Sequence, residues 1–276
     1  SLNQFGKVDI KSMAYLLQMP KDEVATNLLN EKLIFIDHNK LNEDEPEYVL
    51  AEKYLSGNVK KKYNEVLELV ESNRELEDNL TSLKEILPKD LKATDISVSL
   101  GTSWIPMEYY EEFFKEHLKI EKDDFNLIQN SYTGQWTFDG DGFNIPRDIV
   151  SKYATGRMGV YKIAESGLRN SPIKVFDTVE IEDGKKRQVL NQDETALANT
   201  KLEVLKNDFN EWIFKDFDRR THLEKIYNDR FNTDVEPKYN GQHLTLPNLN
   251  TSINLRVHQK DAVWRAVQDR NVLFDH

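Results

Sequence analysis

From residue 191 to residue 231 apolar side chains recur at helical spacing, and this is the strongest constraint on the fold. Ala196 and Leu197 open the stripe and Val204, Leu205, Phe209, Trp212 and Ile213 continue it. The stretch 216–220 interrupts it and 222–231 resumes it, which predicts one or two long helices. An apolar face of this length is stable in water only when other elements cover it. The chain is therefore expected to be α+β and predominantly helical, with short alternating segments elsewhere supplying strands.

The remaining patterns divide the chain into five expected segments. Residues 1–60 read as a winged-helix-like module. Val8, Ile10, Met13, Leu16 and Leu17 form one helical stripe, and Val24, Leu28 and Leu29 form a second. Pro20 suits the first turn of that second helix, and Asp22 and Glu23 complement its dipole. Strands are expected at 33–36 and 48–50. The second helix carries Lys21, Asp22, Glu23, Thr26, Asn27 and Glu31, a poorly basic face that favours protein docking over DNA reading. Residues 61–90 form a helical arm or linker: Leu69, Leu76 and Leu83 alternate with Asn73, Leu80 and Leu87 in a heptad-like stripe, and Ser72 and Glu75 have capping-box spacing.

Residues 91–190 read as an α+β domain with hairpins. A strand is expected at 96–100, then a helix bearing Tyr109, Phe113, Phe114 and Leu118. A hairpin follows through Phe125, Leu127, Trp136 and Phe138, and a second at 173–190 turns on Asp183 and Gly184. Asp139, Gly140, Asp141 and Gly142 invite a calcium-loop reading. Phe143 and Asn144 break it, so a hairpin turn explains the run better. Residues 191–250 are the helical segment and a Pro-, Gly- and Asn-rich loop. Residues 251–276 hold an amphipathic run, then an expected strand at 271–274.

Net charge is −11. Phosphate neutralisation by Lys and Arg supplies most non-specific nucleic-acid affinity, so any DNA contact would need a local patch. One candidate is 147–174, where Arg147, Lys152, Arg157, Lys162, Arg169 and Lys174 face only Asp148 and Glu165. Lys60, Lys61 and Lys62 are a second. Either group could equally be a solvated helix face. With no cysteine, disulfides and thiolate metal sites are excluded. No apolar run approaches a membrane span and no secretory signal is visible, so no membrane partner and a cytoplasmic location are expected. His38, His117, His222, His243, His258 and His276 show no metal spacing, and Gly156 with Gly159 lacks a phosphate fingerprint. No catalytic or metal site emerges.

Near the C-terminus the sequence LRVHQKDAVWRAVQDRNVLFDH, residues 255–276, places His258 and Gln259 before the amphipathic run and the short apolar strand. That order resembles the entry into the motor core of Swi/Snf-like superfamily II helicases, in which a Gln at the Gln259 position reads adenine. Further segments resemble bacterial phage and mobile-element proteins that join an adenine-specific DNA methyltransferase to such a helicase. They are GKVDIKSM (6–13), EKYLSGNVK (52–60), LGTSWIP (100–106), YTGQW (132–136), 153–157, VLNQDET (189–195), 212–230 and 254–274. The resemblance implies a region upstream of the helicase phosphate loop, with the chain ending just before a Walker A motif. It implies a nucleotide-contacting role for Gln259, with Arg256 and His258 beside it. ATP and Mg are implied for the parent protein and no cofactor for this region. The implied partners are DNA through the parent and the adjacent helicase and methyltransferase domains. No methyltransferase motif, Gly-x-Gly-Lys-Thr loop or Asp-Glu pair occurs here.

Two expectations follow, and a third is weaker. The first is a non-catalytic region that engages or positions DNA next to the motor, through phosphate contacts from Arg147, Lys152, Arg157, Lys162 and Arg169. The second is a structural or protein-interaction module coupling the methyltransferase and helicase parts without touching DNA. The third is a self-contained enzyme.

Overall fold

The computed structural model describes residues 8–41, 45–120, 126–130, 132–139, 145–181, 185–246, 249–250, 253–269 and 271–273. The fold is α+β and predominantly helical, with antiparallel two-stranded sheets. The chain forms two compact units, residues 1–89 with 229–276, and residues 90–228. This differs from five consecutive segments because the helices after 191 close the core begun at 91. The chain then rejoins its N-terminal part.

In the first unit, α1 (Ile10–Leu17) is capped by Asp9, whose carboxylate accepts the Ser12 N–H at 3.1 Å, and it ends at Gln18 in a left-handed conformation. Pro20 precedes α2 (Lys21–Asn30) as its N-cap, one position before the expected first turn. β1 (Ile34–Ile36) pairs antiparallel with β2 (Tyr48–Leu50), with Ile34 opposite Leu50. The two helices are thus followed by a paired ribbon. The short helix α3 (Ala51–Tyr54) leads to β3 (Gly57–Asn58), where Gly57 takes φ +69°, a conformation that favours glycine. Asn58 then caps α4 (Val59–Leu69) by accepting the Lys61 N–H at 2.8 Å.

The arm is a packed pair, α4 against α5 (Glu77–Ile86), with Val66, Leu76 and Leu83 fully buried beside Phe35 and Tyr54. The expected capping box is absent. The Ser72 hydroxyl bonds backwards to the Leu69 carbonyl at 3.0 Å, and a 3-10 turn, Arg74–Leu76, intervenes before the helix. Buried Asn79 donates to the Ile36 carbonyl at 2.8 Å, which ties α5 to the ribbon.

The second unit has one large core. The 96–100 segment is no strand. The Ser99 N–H donates to the Thr102 hydroxyl and the Thr102 N–H to the Ser99 carbonyl, a local turn that satisfies the backbone without a sheet partner. Ile96 and Leu100 still face inward. In α6 (Met107–Leu118) the buried face is Tyr110, Phe113, Phe114 and Leu118, with Tyr110 in the place expected of Tyr109. β4 (Asn126–Gln129) and β5 (Trp136–Asp139) form the first hairpin. Phe125, the calcium-like run at 140–144, and Asp183 with Gly184 lie outside the described residues. α7 (Arg147–Tyr153) and α8 (Val160–Leu168) follow, then the exposed ribbon β6 (Phe176–Ile181) and β7 (Lys185–Leu190). The long helix α9 (Gln192–Ile213), capped by Asn191, crosses the core, and α10 (Phe217–Arg230) folds back after it.

Two features lock this core. Gly101, at φ +89°, lies so close to the end of α8 that an added Cβ would stand 2.1 Å from the Leu168 carbonyl oxygen. Arg219, 6% exposed, closes the C-terminus of α9: its guanidinium donates to the Ile213 and Trp212 carbonyls at 2.9 and 2.8 Å and to Glu112 at 3.1 Å. It also lies 3.4 Å from the centre of the Trp212 ring.

His117 stacks on Phe113 at 4.4 Å, and its Nδ1 is buried without a hydrogen-bond partner. Burial lowers its pKa below the ordinary 6.5. The folded protein therefore binds this proton less readily than the unfolded chain. The contribution is intact above about pH 6.5 and is lost as the pH falls through the lowered value. Urea midpoints of the wild type should drop between pH 7 and 5 more than those of His117→Gln. Equal pH dependence in the two would remove His117 as the cause.

Candidate functional site

The basic stretch is the sequence's main candidate, and three of its six cations are paired within the second unit. Lys152, near the end of α7, reaches Asp208 on α9 at 2.7 Å, and the buried Tyr153 donates its hydroxyl to the same carboxylate at 2.5 Å. Burial first and then Asp208 push the Tyr153 phenol up to about 12, and the bond to Asp208 raises Lys152. Arg157 forms an ion pair with Asp177 at the start of β6 and donates to the Phe176 carbonyl at 2.8 Å. The Arg157 guanidinium holds the Asp177 carboxyl below its usual range. Arg169 donates to the Trp136 carbonyl at 3.0 Å and lies 3.7 Å from Glu165, so it fastens the β5 strand to α8. Arg147, Lys162 and Lys174 are exposed and form no ion pair among the described residues.

The lysine triplet is likewise internal to its own unit. Lys60 pairs with Asp229 at 2.8 Å and Lys61 with Glu65 at 3.6 Å. Lys62 donates to the carbonyls of Lys53, Tyr54 and Ser56 at 3.2, 2.8 and 2.7 Å, capping the C-terminus of α3. Burial lowers its pKa. Its role is to hold a helix end, and sequence alone gave no sign of that.

The C-terminal helix α11 (Val257–Asp269) is anchored in the first unit by Glu52 of α3. Glu52 accepts the Trp264 indole N–H at 2.8 Å, the Asn240 N–H at 3.1 Å and the Gln268 amide. Gly241 packs so tightly that a Cβ there would stand 2.0 Å from the Lys260 carbonyl oxygen, and its N–H donates to Asp261 at 2.8 Å. Arg256, His258 and Gln259 are exposed at the helix start. Gln259 Oε1 accepts the Arg256 N–H at 2.9 Å, so its side chain closes the helix N-terminus. Residues 271–273 are not a strand, since no strand lies alongside them among the described residues, and Phe274 lies outside those residues. Glu52 sits in the EKYLSGNVK segment singled out from sequence, but its role depends on a helix more than 200 residues away.

A different surface emerges at the start of the first unit. None of the residues of α1 is buried, and Tyr15, Leu16 and Leu17 are 84%, 73% and 59% exposed. Between α1 and α2 runs an open apolar groove of about 350 Å³ lined by Met13, Leu16, Leu17, Met19, Val24, Asn27 and Leu28. Met13, Leu16, Leu17, Val24 and Leu28 belong to the two helical stripes read from sequence, and spacing alone does not reveal that Leu16 and Leu17 stay exposed. Among the described residues no group of three or more His, Asp or Glu side chains could hold a metal ion, and no helix is long and apolar enough to cross a membrane.

By fold the protein is a predominantly helical α+β chain of two units, each with its own core. A protein-family model described as Domain of unknown function (DUF8437) matches residues 99–233, a little under half of the chain and largely within the second unit. No curated protein and no solved structure matches the chain.

Proposed function

We propose that this chain is a non-catalytic docking region of a larger ATP-driven DNA-acting protein, holding neighbouring parts or partners in place without gripping DNA itself. The observation that carries this reading is the internal pairing of the basic stretch: Lys152 with Asp208, Arg157 with Asp177, and Arg169 with Glu165 and the Trp136 carbonyl. A cation held by a carboxylate releases few counterions on meeting a phosphate, so it adds little affinity. The resemblance to methyltransferase–helicase proteins supplies the wider setting. There the adjacent methyltransferase and helicase domains are the first partners, ATP and Mg belong to the motor, and the protein works in the cytoplasm.

A second reading, direct DNA engagement beside the motor, draws on the exposed cations Arg147, Lys162 and Lys174. Charge reversal separates the two. In the docking reading, Arg157→Glu with Lys162→Glu leaves affinity for a labelled DNA duplex at low salt indistinguishable from wild type. A loss of about tenfold or more, with circular dichroism unchanged, would favour DNA engagement.

A further inference from the structure

We infer that the groove between α1 and α2 is a docking site for a basic amphipathic helix supplied by a partner protein or domain. The inference rests on the docking reading above and names its surface and the chemistry of its occupant. Helix α1 has apolar side chains over most of its length, yet none is buried, and Leu16 and Leu17 stand beside the cleft rather than under a cover. Water against such a face is unfavourable in proportion to the apolar area left exposed. The cleft is lined on both walls by aliphatic and thioether side chains. Met13 and Met19 add the adaptable surface that suits a helix laid into a groove.

Charge selects the occupant. Glu23 lies one turn before Asn27 on α2, and Glu31, the C-cap of that helix, one turn after it, a spacing that puts both on the helix face of Asn27, which lines the groove with Val24 and Leu28. Asp22, Glu23 and Glu31 are exposed and make no ion pair among the described residues. The two lysines beside them share one carboxylate: Lys11 and Lys21 both bind Glu45, at 2.9 and 3.1 Å. With Lys32, which follows Glu31 in sequence, the rim holds four carboxylates, Asp22, Glu23, Glu31 and Glu45, against three lysines, and so carries one net negative charge. An acidic rim around an apolar floor fits a helix with apolar anchors at i, i+3, i+4 and i+7 and Lys or Arg at its flanks. A second copy of this chain fits poorly, because it would set the same carboxylates against each other on a protein of net charge −11.

The test uses the full chain and a fluorescein-labelled peptide of about 18 residues, five helical turns. Leu occupies the anchor positions and Lys the flanks; a second peptide carries Glu at those flanks. The Lys peptide is expected to bind with a Kd of about 10 μM or tighter. The Glu peptide should bind at least about tenfold more weakly. Leu16→Asp should abolish binding. Glu23→Lys with Glu31→Lys should weaken it about tenfold, and all these positions are solvent-facing enough for the fold to survive. No binding of the Lys peptide, equal binding of both peptides, or binding indifferent to Leu16→Asp would overturn the inference. So would sedimentation showing that the chain pairs with itself and that Leu16→Asp makes it monomeric. None of these results depends on DNA, so failure here leaves the low-salt DNA comparison to judge the docking reading separately.

Discussion

Replacing Gly101 by alanine is expected to destabilise the 90–228 unit by about 3–4 kcal/mol, among the largest single-residue effects in this protein. Two costs add. The residue sits at φ +89°, where a side chain is strained, and the new methyl carbon would lie 2.1 Å from the Leu168 carbonyl oxygen and 2.6 Å from its carbon. Those neighbours are backbone at the end of α8, so relief requires the helix end to move. The surrounding core holds it there, through Leu100 beneath and Leu168, 2% exposed, within it. Gly156→Ala is the control, since a Cβ there meets nothing within 4 Å. Urea unfolding followed by tryptophan fluorescence reports the effect, because Trp104, Trp136 and Trp212 all belong to this unit. A Gly101→Ala midpoint within experimental error of the Gly156→Ala midpoint would show that the contact at α8 does not constrain the fold.

The second large effect is expected at Arg219. Truncation to alanine removes the donors to the Trp212 and Ile213 carbonyls and the partner of Glu112, leaves helix-end carbonyls without protein partners, and uncovers the Trp212 ring. A loss of about 3 kcal/mol follows from unmade hydrogen bonds in a buried setting. Arg219→Lys should recover less than half of it. An ammonium cannot reproduce the planar fork that reaches two carbonyls and a carboxylate together. Arg219→Met fills the volume without the donors, so it separates packing from hydrogen bonding. If Arg219→Met matches wild type in urea, the cap contributes only volume and the hydrogen-bond account fails.

Much of the helical framework is readable from periodicity because helix faces announce themselves in sequence. Phe113, Phe114 and Leu118 recur at the spacing a buried face needs, as do Leu205, Phe209 and Trp212. The failures have physical causes. Ile96 and Leu100 alternate with polar residues and are buried, yet the Ser99–Thr102 turn replaces a strand, and spacing cannot tell inward-facing coil from a strand that lacks a partner. Helix α10 was visible only as a resumed pattern, because its buried positions include Arg219 and Asn228 as well as Leu223. Asn228 is inside because its side chain exchanges hydrogen bonds with both backbone groups of Leu91, 137 residues away.

The candidate site was less legible than the fold. Sequence displays the charges of the 147–174 stretch but not their partners. Asp177 stands 20 residues beyond Arg157, and Asp208 lies on another helix. The same limit hid the lysine triplet, where Lys62 caps a helix and Lys60 meets Asp229 only after the chain has returned to its first unit. It also hid the groove, since Leu16 and Leu17 have the spacing of a core stripe whether or not anything covers them.

The measurement that tests the docking account most directly is fluorescence anisotropy of labelled duplex and single-stranded DNA with the full chain, titrated from low to physiological salt. The account predicts weak binding or none at low salt and no steep dependence on salt, because three of the six cations of the basic stretch, Lys152, Arg157 and Arg169, are held by Asp208, Asp177 and Glu165 in a chain of net charge −11. Tight binding that falls steeply as salt rises, with a slope corresponding to about five or more phosphate contacts, would contradict it and return the basic stretch to the role of a DNA interface.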